Sequence, residues 1–145
     1  MNKKATPSVI PDESIINKIY FIRGQKVMLD SDLAELYQVE TKRLKEQVKR
    51  NLERFPKQYM FVLKEKEFQS LRSQNATSKD GRGGARYMPM VFTEHGVLQL
   101  SNVLTSERAI RVSFKIIDVF VKLRHLLSDN TELRLAIEQL RKKNK

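Results

Sequence analysis

The chain has 145 residues, of which 40% are hydrophobic, so it can bury a single core. It carries a formal net charge of +11 and contains no cysteine, which excludes disulfides, thiolate metal sites and a cysteine nucleophile. The two histidines, His95 and His125, are too few and too far apart to indicate a metal site. No carboxylate pair or Ser/His/Asp arrangement stands out. We therefore expect no enzyme activity, no metal and no cofactor.

Residues 1–13 hold lysines and prolines without an apolar run, which predicts a flexible basic arm and neither a signal peptide nor an anchor. No segment has the length needed to span a bilayer. A membrane surface would require a basic helix with a free aromatic or leucine face, and the pattern shows no spare face of this kind. These features predict a cytoplasmic protein without a membrane partner.

The next segments alternate between strand and helix patterns. Apolar, β-prone runs at 19–22 and 26–29 flank Arg23-Gly24-Gln25 and predict a hairpin. Residues 59–63 and 87–93 predict two further strands, and 65–74 a short helix between them. Pro89 cannot donate to a sheet ladder, so the last strand is expected at an edge or with Pro89 on its free side.

Residues 30–58 contain two helices separated by a short break. Asp32–Tyr37 is amphipathic and Gln38–Glu40 forms a three-residue turn. Thr41 is expected to cap a second helix, over 41–54, whose apolar row repeats every four positions as Leu44, Val48 and Leu52. So short a turn before a more basic second helix indicates a helix-turn-helix.

Two positions of this pair have steric requirements. Ala34 is small enough to let the second helix pack against the first. Four residues on, the turn favours a left-handed residue, usually Gly, and here it is Gln38.

The outward side of the second helix is mostly basic. It carries Lys42, Arg43, Glu46, Lys49, Arg50 and Glu53, flanked by Gln47 and Arg54. Arg and Gln hydrogen-bond base edges in the major groove, and Lys suits phosphate. The same pattern fits a solvated helix with Glu46–Lys49 and Glu46–Arg50 pairs, so both interpretations stay open.

Positive charge is sorted into patches. Residues 39–58 and 122–145 each hold seven basic and three acidic side chains, whereas 30–38 hold three acidic and none basic. A patchy basic excess is typical of a protein that binds a polyanion.

Residues 75–86 (NATSKDGRGGAR) hold three of the five glycines and predict a flexible loop. The loop lacks the Lys-Ser/Thr ending of a nucleotide-binding loop. Arg82 and Arg86 either contact DNA backbone or lie in a solvent-exposed turn.

The C-terminal part is predicted to be helical. Thr93 is expected to cap a helix over 94–104, and Ser106 a long helix from Glu107. This helix carries a heptad seam made of Val112, Ile116, Val119, Leu123, Leu126, Asn130, Leu133, Ile137 and Leu140. We expect it to pack on the domain to about residue 127 and then to form a coiled coil, giving a homodimer through 112–140. The alternative is a short helix that breaks at Ser128-Asp129-Asn130.

Five motifs resemble a bacteriophage-associated family. They are Ile22-Arg-Gly-Gln-Lys-Val-Met-Leu-Asp30, Asp32-Leu-Ala-Glu-Leu-Tyr37, Val48-Lys-Arg-Asn51 with Arg54-Phe55-Pro56, Phe92-Thr-Glu94-x-Gly96-Val97 and Ser106-Glu-Arg-Ala-Ile110. In this order, over roughly residues 18–125, they resemble the KilA-N-like DNA-binding domain, in the branch named after "open reading frame six, N-terminal domain". Where the family has Gln, this chain has His95. The resemblance implies a DNA-binding module of a phage or prophage regulator or antirepressor, often followed by a separate C-terminal domain.

Together these patterns predict an α+β protein with a small sheet of hairpins, a helix-turn-helix-like pair and a long C-terminal helix. The core domain would cover 14–105 and the C-terminal helix 106–145. The expected function is double-stranded DNA binding in a bacterial cell or phage-infected host, with helix 41–54 in the major groove. The alternative is an antirepressor module that binds a phage repressor or another protein and not DNA. The candidate DNA-binding residues are Thr41, Lys42, Arg43, Glu46, Gln47, Lys49, Arg50, Arg54, Lys57, Arg82 and Arg86.

Overall fold

The computed structural model describes residues 10–74, 88–129 and Gln139. Helices and strands follow one another as α1 (Asp12–Ile16), β1 (Ile19–Ile22), β2 (Gln25–Leu29), α2 (Asp30–Tyr37), α3 (Thr41–Arg50), a single 3-10 turn (Leu52–Arg54), β3 (Met60–Val62), α4 (Glu65–Gln74), β4 (Met90–Phe92), α5 (Glu94–Leu104) and α6 (Glu107–Asp129). The predicted α+β class, the small sheet and the long C-terminal helix are confirmed. Helix α1 was not predicted, and its first turn uses Asp12 and Glu13 from the expected arm.

The predicted hairpin is confirmed, with a tighter turn than expected. β1 pairs antiparallel with β2, and the loop is only Arg23-Gly24. Both residues have positive φ, 54° and 75°, as a two-residue turn of type I′ requires to match the twist of the strands. The second strand therefore begins at Gln25, one residue before the predicted start.

Of the two alternatives predicted for the last strand, an edge position or Pro89 on a free side, the edge position is wrong. The sheet order is β1-β2-β4-β3, so β4 is central and pairs antiparallel with β2 and β3. Pro89 precedes the strand and contributes only its carbonyl, which accepts from the Leu63 amide at 3.0 Å. The Met90 amide donates to a carboxylate oxygen of Asp30, at 2.9 Å. The proline therefore costs the ladder no hydrogen bond.

The two faces of the sheet are covered differently. Helix α4 closes a small cluster of Val27, Phe61, Leu63, Leu71 and Val91 on one face. The main core, which includes Met28, Met60, Met90 and Phe92, lies on the other face beneath α2, α3, α5 and α6.

Helix α6 packs into this main core through the first half of the predicted seam. Val112, Ile116 and Val119 are buried, and Leu123 is half-buried against them. The seam residues from Asn130 to Leu140 lie outside the described residues. Within the described ranges, no helix combines the length and apolar character needed to cross a membrane.

Two of the three predicted caps, those of α5 and α6, are confirmed. Thr93 precedes α5, and its hydroxyl oxygen accepts from the Gly96 amide at 3.3 Å. Ser106 precedes α6, and its hydroxyl oxygen accepts from the Ala109 amide at 3.0 Å. Each bond satisfies one amide that the first helical turn leaves without an intrahelical partner.

Candidate functional site

Helices α2 and α3 are joined by residues 38–40. Gln38 has the left-handed conformation predicted for this position, with φ 63° and ψ 47°. The amides of Gln38 and Val39 donate to the carbonyls of Glu35 and Ala34, at 3.1 and 3.0 Å. This left-handed cap usually takes Gly, so Gln38 carries a conformational cost here.

The small side chain predicted at the contact between the two helices is buried. Ala34 is buried on α2, in the same core cluster as Leu44 and Val48 of α3, which are completely buried. The buried side of α3 is therefore fixed, and its orientation determines which side chains face solvent.

The exposed side of α3 is rich in cations. Lys42, Arg43, Glu46, Lys49 and Arg50 are all exposed, whereas Thr41 and Gln47 are half-buried at the margins. At about 100° per residue, Glu46 lies at the centre of the exposed side. Arg43 and Arg50 lie on one flank of Glu46, and Lys42 and Lys49 on the other.

The predicted capping role of Thr41 is wrong. Thr41 is already the first helical residue, and the extended residue before the helix is Glu40, which makes no side-chain capping hydrogen bond. The first turn of α3 also lacks acidic residues. The positive end of the helix dipole therefore adds to the charges of Lys42 and Arg43.

The predicted helix 41–54 is too long. α3 ends at Arg50, since Asn51 leaves the helical conformation with φ −128° and its side-chain amide donates to the Gln47 carbonyl at 2.8 Å. Leu52, predicted on the apolar face, is 55% exposed. Phe55 is buried and meets the Phe92 ring edge to face at 5.9 Å. The chain turns after Asn51 because burying the larger ring of Phe55 removes more apolar surface from water than burying Leu52.

This break moves part of the predicted site off the helix. Glu53 and Arg54 are exposed on the separate 3-10 turn, and Lys57 is exposed just beyond Pro56. Arg82 and Arg86 lie outside the described residues.

One charged contact within the pair was missed by the sequence analysis. Nζ of Lys45 lies 3.5 Å from Oδ2 of Asp30, whose side chain is almost completely buried. Asp30 is the first residue of α2 and Lys45 is in the middle of α3, so the contact joins the two helices. Its only sequence signal is an acidic residue at a helix start, which equally suits the helix dipole.

Helix α6 holds the end of α2. The Tyr37 hydroxyl and Oγ of Ser113 form a buried hydrogen bond of 2.8 Å. Burial raises the pKa of Tyr37 well above its usual value, so the phenol stays neutral. Nε of Arg108 donates to the Leu36 carbonyl at 3.2 Å, satisfying a carbonyl at the end of α2.

The remaining candidate groups form no reactive cluster among the described residues. His95 is exposed in the first turn of α5 and its ring stacks on Tyr59 with centroids 5.3 Å apart. His125 is exposed on α6. In the described ranges, no three histidine, aspartate or glutamate side chains lie close enough to hold a metal ion. Two open clefts of about 330 and 170 Å³ are lined by residues outside α3.

Comparison of the sequence with known families suggests a phage-type regulatory domain. The ORF6N domain model matches residues 17–103, which is more than half of the chain. The chain therefore belongs to the ORF6N domain family. The match begins just before β1 and ends one residue before the end of α5, so it includes the sheet and the α2–α3 pair. No curated protein and no solved structure matches the chain.

Proposed function

We propose that the chain binds double-stranded DNA by inserting the exposed side of α3 into the major groove. The observation that carries this proposal is the contrast between the two sides of one short helix. Leu44 and Val48 anchor its inner side in the core, while four cations surround a single carboxylate on its outer side. The major groove admits an α-helix, and basic side chains on such a helix neutralise phosphates. The KilA-N-like resemblance and the ORF6N match support the same function.

The helix geometry suggests a division of roles. Arg43, Gln47 and Arg50 are spaced by four and three residues, so they form one stripe that we assign to base edges. Lys42 and Lys49 lie on the opposite flank and are assigned to phosphates. The central Glu46 would accept from a cytosine amino group and disfavour other bases. Arg54 and Lys57 extend the backbone contacts, and Arg82 and Arg86 are proposed to add to them.

In this proposal the chain is the DNA-binding module of a phage or prophage-type transcriptional regulator or antirepressor, acting in the cytoplasm of a bacterial cell or phage-infected host. The competing function is an antirepressor module that binds a phage repressor through protein contacts alone. The two differ in whether the cations of α3 are needed for a DNA complex.

The test is selection of fragments from a random pool of double-stranded DNA by the 145-residue chain near physiological salt. The matched control is a variant with Arg43, Lys49 and Arg50 replaced by Ala, since these exposed residues have no role in the core. We expect a consensus from the native chain and none from the variant. Affinity for the consensus should fall with salt by roughly 0.9 logarithmic units per neutralised phosphate for each tenfold increase. Recovery of no DNA by the native chain would instead favour the repressor-binding function.

A further inference from the structure

Helix α6 carries a second apolar row beside the one buried in the core. Ile110, Phe114, Ile117 and Val121 are spaced by four, three and four residues, so they line one side of the helix. Phe114 is 60% exposed, Ile110 is also exposed, and the other two are half-buried. No free aromatic or leucine face was predicted for this chain, and the exposed Phe114 differs from that prediction.

Contacts on both sides define where this row lies. On one side Ser113 bonds Tyr37 of α2, and on the other Lys115 and Lys122 bind Asp12 of α1, at 2.6 and 3.0 Å. The row lies between these contacts. Its two exposed residues, Ile110 and Phe114, therefore face outward, while Ile117 is partly buried against the main core.

Arg111 and Asp118 flank the row. At about 100° per residue both lie on the side toward α1, within about 20° of each other. They are seven residues apart, and their midpoint falls one residue from the centre of the row, which is between Phe114 and Ile117. Both are exposed, and among the described residues the ion pair of Arg111 is with Glu107, at 3.7 Å.

We propose that this row is the interface with a second copy of the chain, with the two α6 helices packed antiparallel about a two-fold axis. The axis passes between Phe114 and Ile117, so Phe114 of each copy packs on Ile117 of the other, and the two end residues of the row also meet. In such an interface, if residue i contacts residue j, then j also contacts i. Arg111 of each copy therefore approaches Asp118 of the other, which gives two identical ion pairs.

Antiparallel packing follows from these charges. If Phe114 and Val121 of the row are assigned to heptad position a and Ile110 and Ile117 to d, Arg111 and Asp118 both occupy position e. The g positions hold Ser113 and Phe120. A parallel pair would place each e residue beside a g residue and form no opposite-charge contact. Each copy contributes only four apolar residues, so the area buried in the interface is smaller than in a standard protein–protein interface. We therefore expect a reversible dimer that dissociates at low concentration.

This interface is separate from the candidate DNA-binding side and does not depend on the proposed function. Helices α2 and α5 each contact both α3 and α6. Pairing through α6 therefore leaves the outer side of α3 uncovered in both copies. It also differs from a coiled coil beyond residue 126, which would use Leu133 and Leu140 instead of the row.

The test is sedimentation of the 145-residue chain from micromolar to sub-millimolar concentration. We expect a reversible monomer–dimer equilibrium that Phe114→Asp weakens roughly thirtyfold or more, as for a central interface residue. Phe21→Asp is the matched control, because Phe21 is an aromatic side chain that is 72% exposed on β1 and is not part of the row. Leu133→Asp tests the coiled coil. Circular dichroism checks that each variant keeps its helices.

Charge exchange provides the sharper comparison. Asp118→Arg alone and Arg111→Asp alone should each weaken the dimer, because each places like charges opposite one another twice. The double exchange, Arg111→Asp with Asp118→Arg, should restore dimerisation. Residues seven apart on one helix lie two turns apart, so this rescue requires contact between copies.

Three results would overturn the proposal. One is a native chain that stays monomeric throughout. Another is a dimer lost with Leu133→Asp and kept with Phe114→Asp, which would assign it to the coiled coil. The third is a double exchange no better than either single exchange, which would exclude the antiparallel pairing.

Discussion

Oδ2 of Asp30 receives two contacts at once, the Met90 amide at 2.9 Å and Nζ of Lys45 at 3.5 Å. One buried carboxylate therefore joins the start of α2, the middle of α3 and the first residue of β4. The contact holds the candidate DNA-binding helix in a defined position on the sheet.

Replacing this carboxylate should separate its two roles. Asp30→Ala leaves a buried amide without its acceptor and should lower the free energy of unfolding by about 2–4 kcal/mol. Asp30→Asn keeps an acceptor oxygen for Met90 and should lower it much less. Urea unfolding of both variants measures the difference, and Lys45→Met reports the contribution of the charge. If Asp30→Ala unfolds within about 0.5 kcal/mol of the native chain, as an ordinary surface substitution does, the joining role is disproved.

Substitutions on α3 should divide into two classes once a preferred DNA site is known. Arg43→Ala or Arg50→Ala should cost roughly 1–3 kcal/mol on that site and relax specificity at one position. Lys42→Ala or Lys49→Ala should weaken all sequences alike and reduce the salt slope by about one unit. Titration against specific and scrambled duplexes at two salt concentrations distinguishes the classes.

The control for this series is Lys66→Ala, an exposed cation on α4, which covers the opposite face of the sheet. It should leave binding unchanged. If Arg43→Ala and Arg50→Ala also bind normally with the fold intact, α3 does not enter the groove.

Two residues adopt a backbone conformation that glycine would adopt more easily. Gln38 and Thr105 have φ of 63° and 52° and end α2 and α5. Gln38→Gly should raise the free energy of unfolding by up to about 1 kcal/mol, which raises Tm by roughly 2–4 °C in a chain of this size. Thr105→Gly should raise the free energy of unfolding by more than Gln38→Gly does, because a β-branched side chain is less compatible with this conformation.

A matched control lies three residues before Gln38. Glu35 is exposed inside α2, where Glu35→Gly should cost about 1 kcal/mol instead of stabilising. Thermal unfolding of the three variants measures the change in Tm that each substitution causes. A lower Tm for Gln38→Gly would mean that its side chain makes a contact worth more than the conformational cost.

The local parts of this fold could be predicted because the information lies in adjacent residues. The gap between Ile22 and Lys26 marked the hairpin, and the positions of Leu44 and Val48 determined which side of α3 faces solvent. The special backbone of Gln38 followed from the shortness of the turn. The exposure of the α3 cations Lys42, Arg43, Lys49 and Arg50 therefore agrees with the prediction.

The predictions that were wrong depend on contacts between residues that are distant in sequence. Phe55 rather than Leu52 completes the core because Phe92 is beside it, and nothing near Leu52 indicates this. Asp30 meets Met90 across 60 positions. The whole first half of α6 was expected to pack on the domain. Periodicity shows which residues share a side of a helix, but not whether a partner covers that side.

Acid should remove one tertiary contact selectively. Arg23 donates to the two carboxylate oxygens of Glu67 at 2.8 and 3.1 Å, and the Lys64 amide donates at 2.7 Å. The Arg23 guanidinium and then this amide lower the pKa of Glu67 to about 2. Because the folded pKa lies below the unfolded value of 4.5, the contact stabilises fully above pH 4.5 and is lost as pH falls through about 2.

Glu67→Gln should therefore lower Tm modestly at neutral pH and by progressively less below pH 4.5. The effect should stay within a few degrees, because Arg23 is exposed and water screens the pair. Glu65→Gln, an exposed carboxylate on the same helix, is the control. A Tm difference between native and Glu67→Gln chains that is constant from pH 7 to pH 2 would contradict this assignment of the pKa.

Gly96 and Gly24 should respond differently to the same added methyl group. A Cβ on Gly96 would lie 2.2 Å from the Tyr59 carbonyl oxygen. That oxygen cannot move freely, because it accepts from both the amide and the hydroxyl of Thr93, at 3.0 and 3.2 Å. Gly96→Ala must therefore push α5 away from β3, and we expect it to cost about 3 kcal/mol or more.

Gly24→Ala provides the comparison, since a Cβ there meets nothing within 4 Å. Its cost comes only from the positive φ of 75° and should be about 1–2 kcal/mol. Urea unfolding should therefore give a clearly lower free energy of unfolding for Gly96→Ala than for Gly24→Ala. Near-equal losses would show that α5 yields at Gly96 without strain, and the tight contact between its first turn and Tyr59 would then not be what positions the helix.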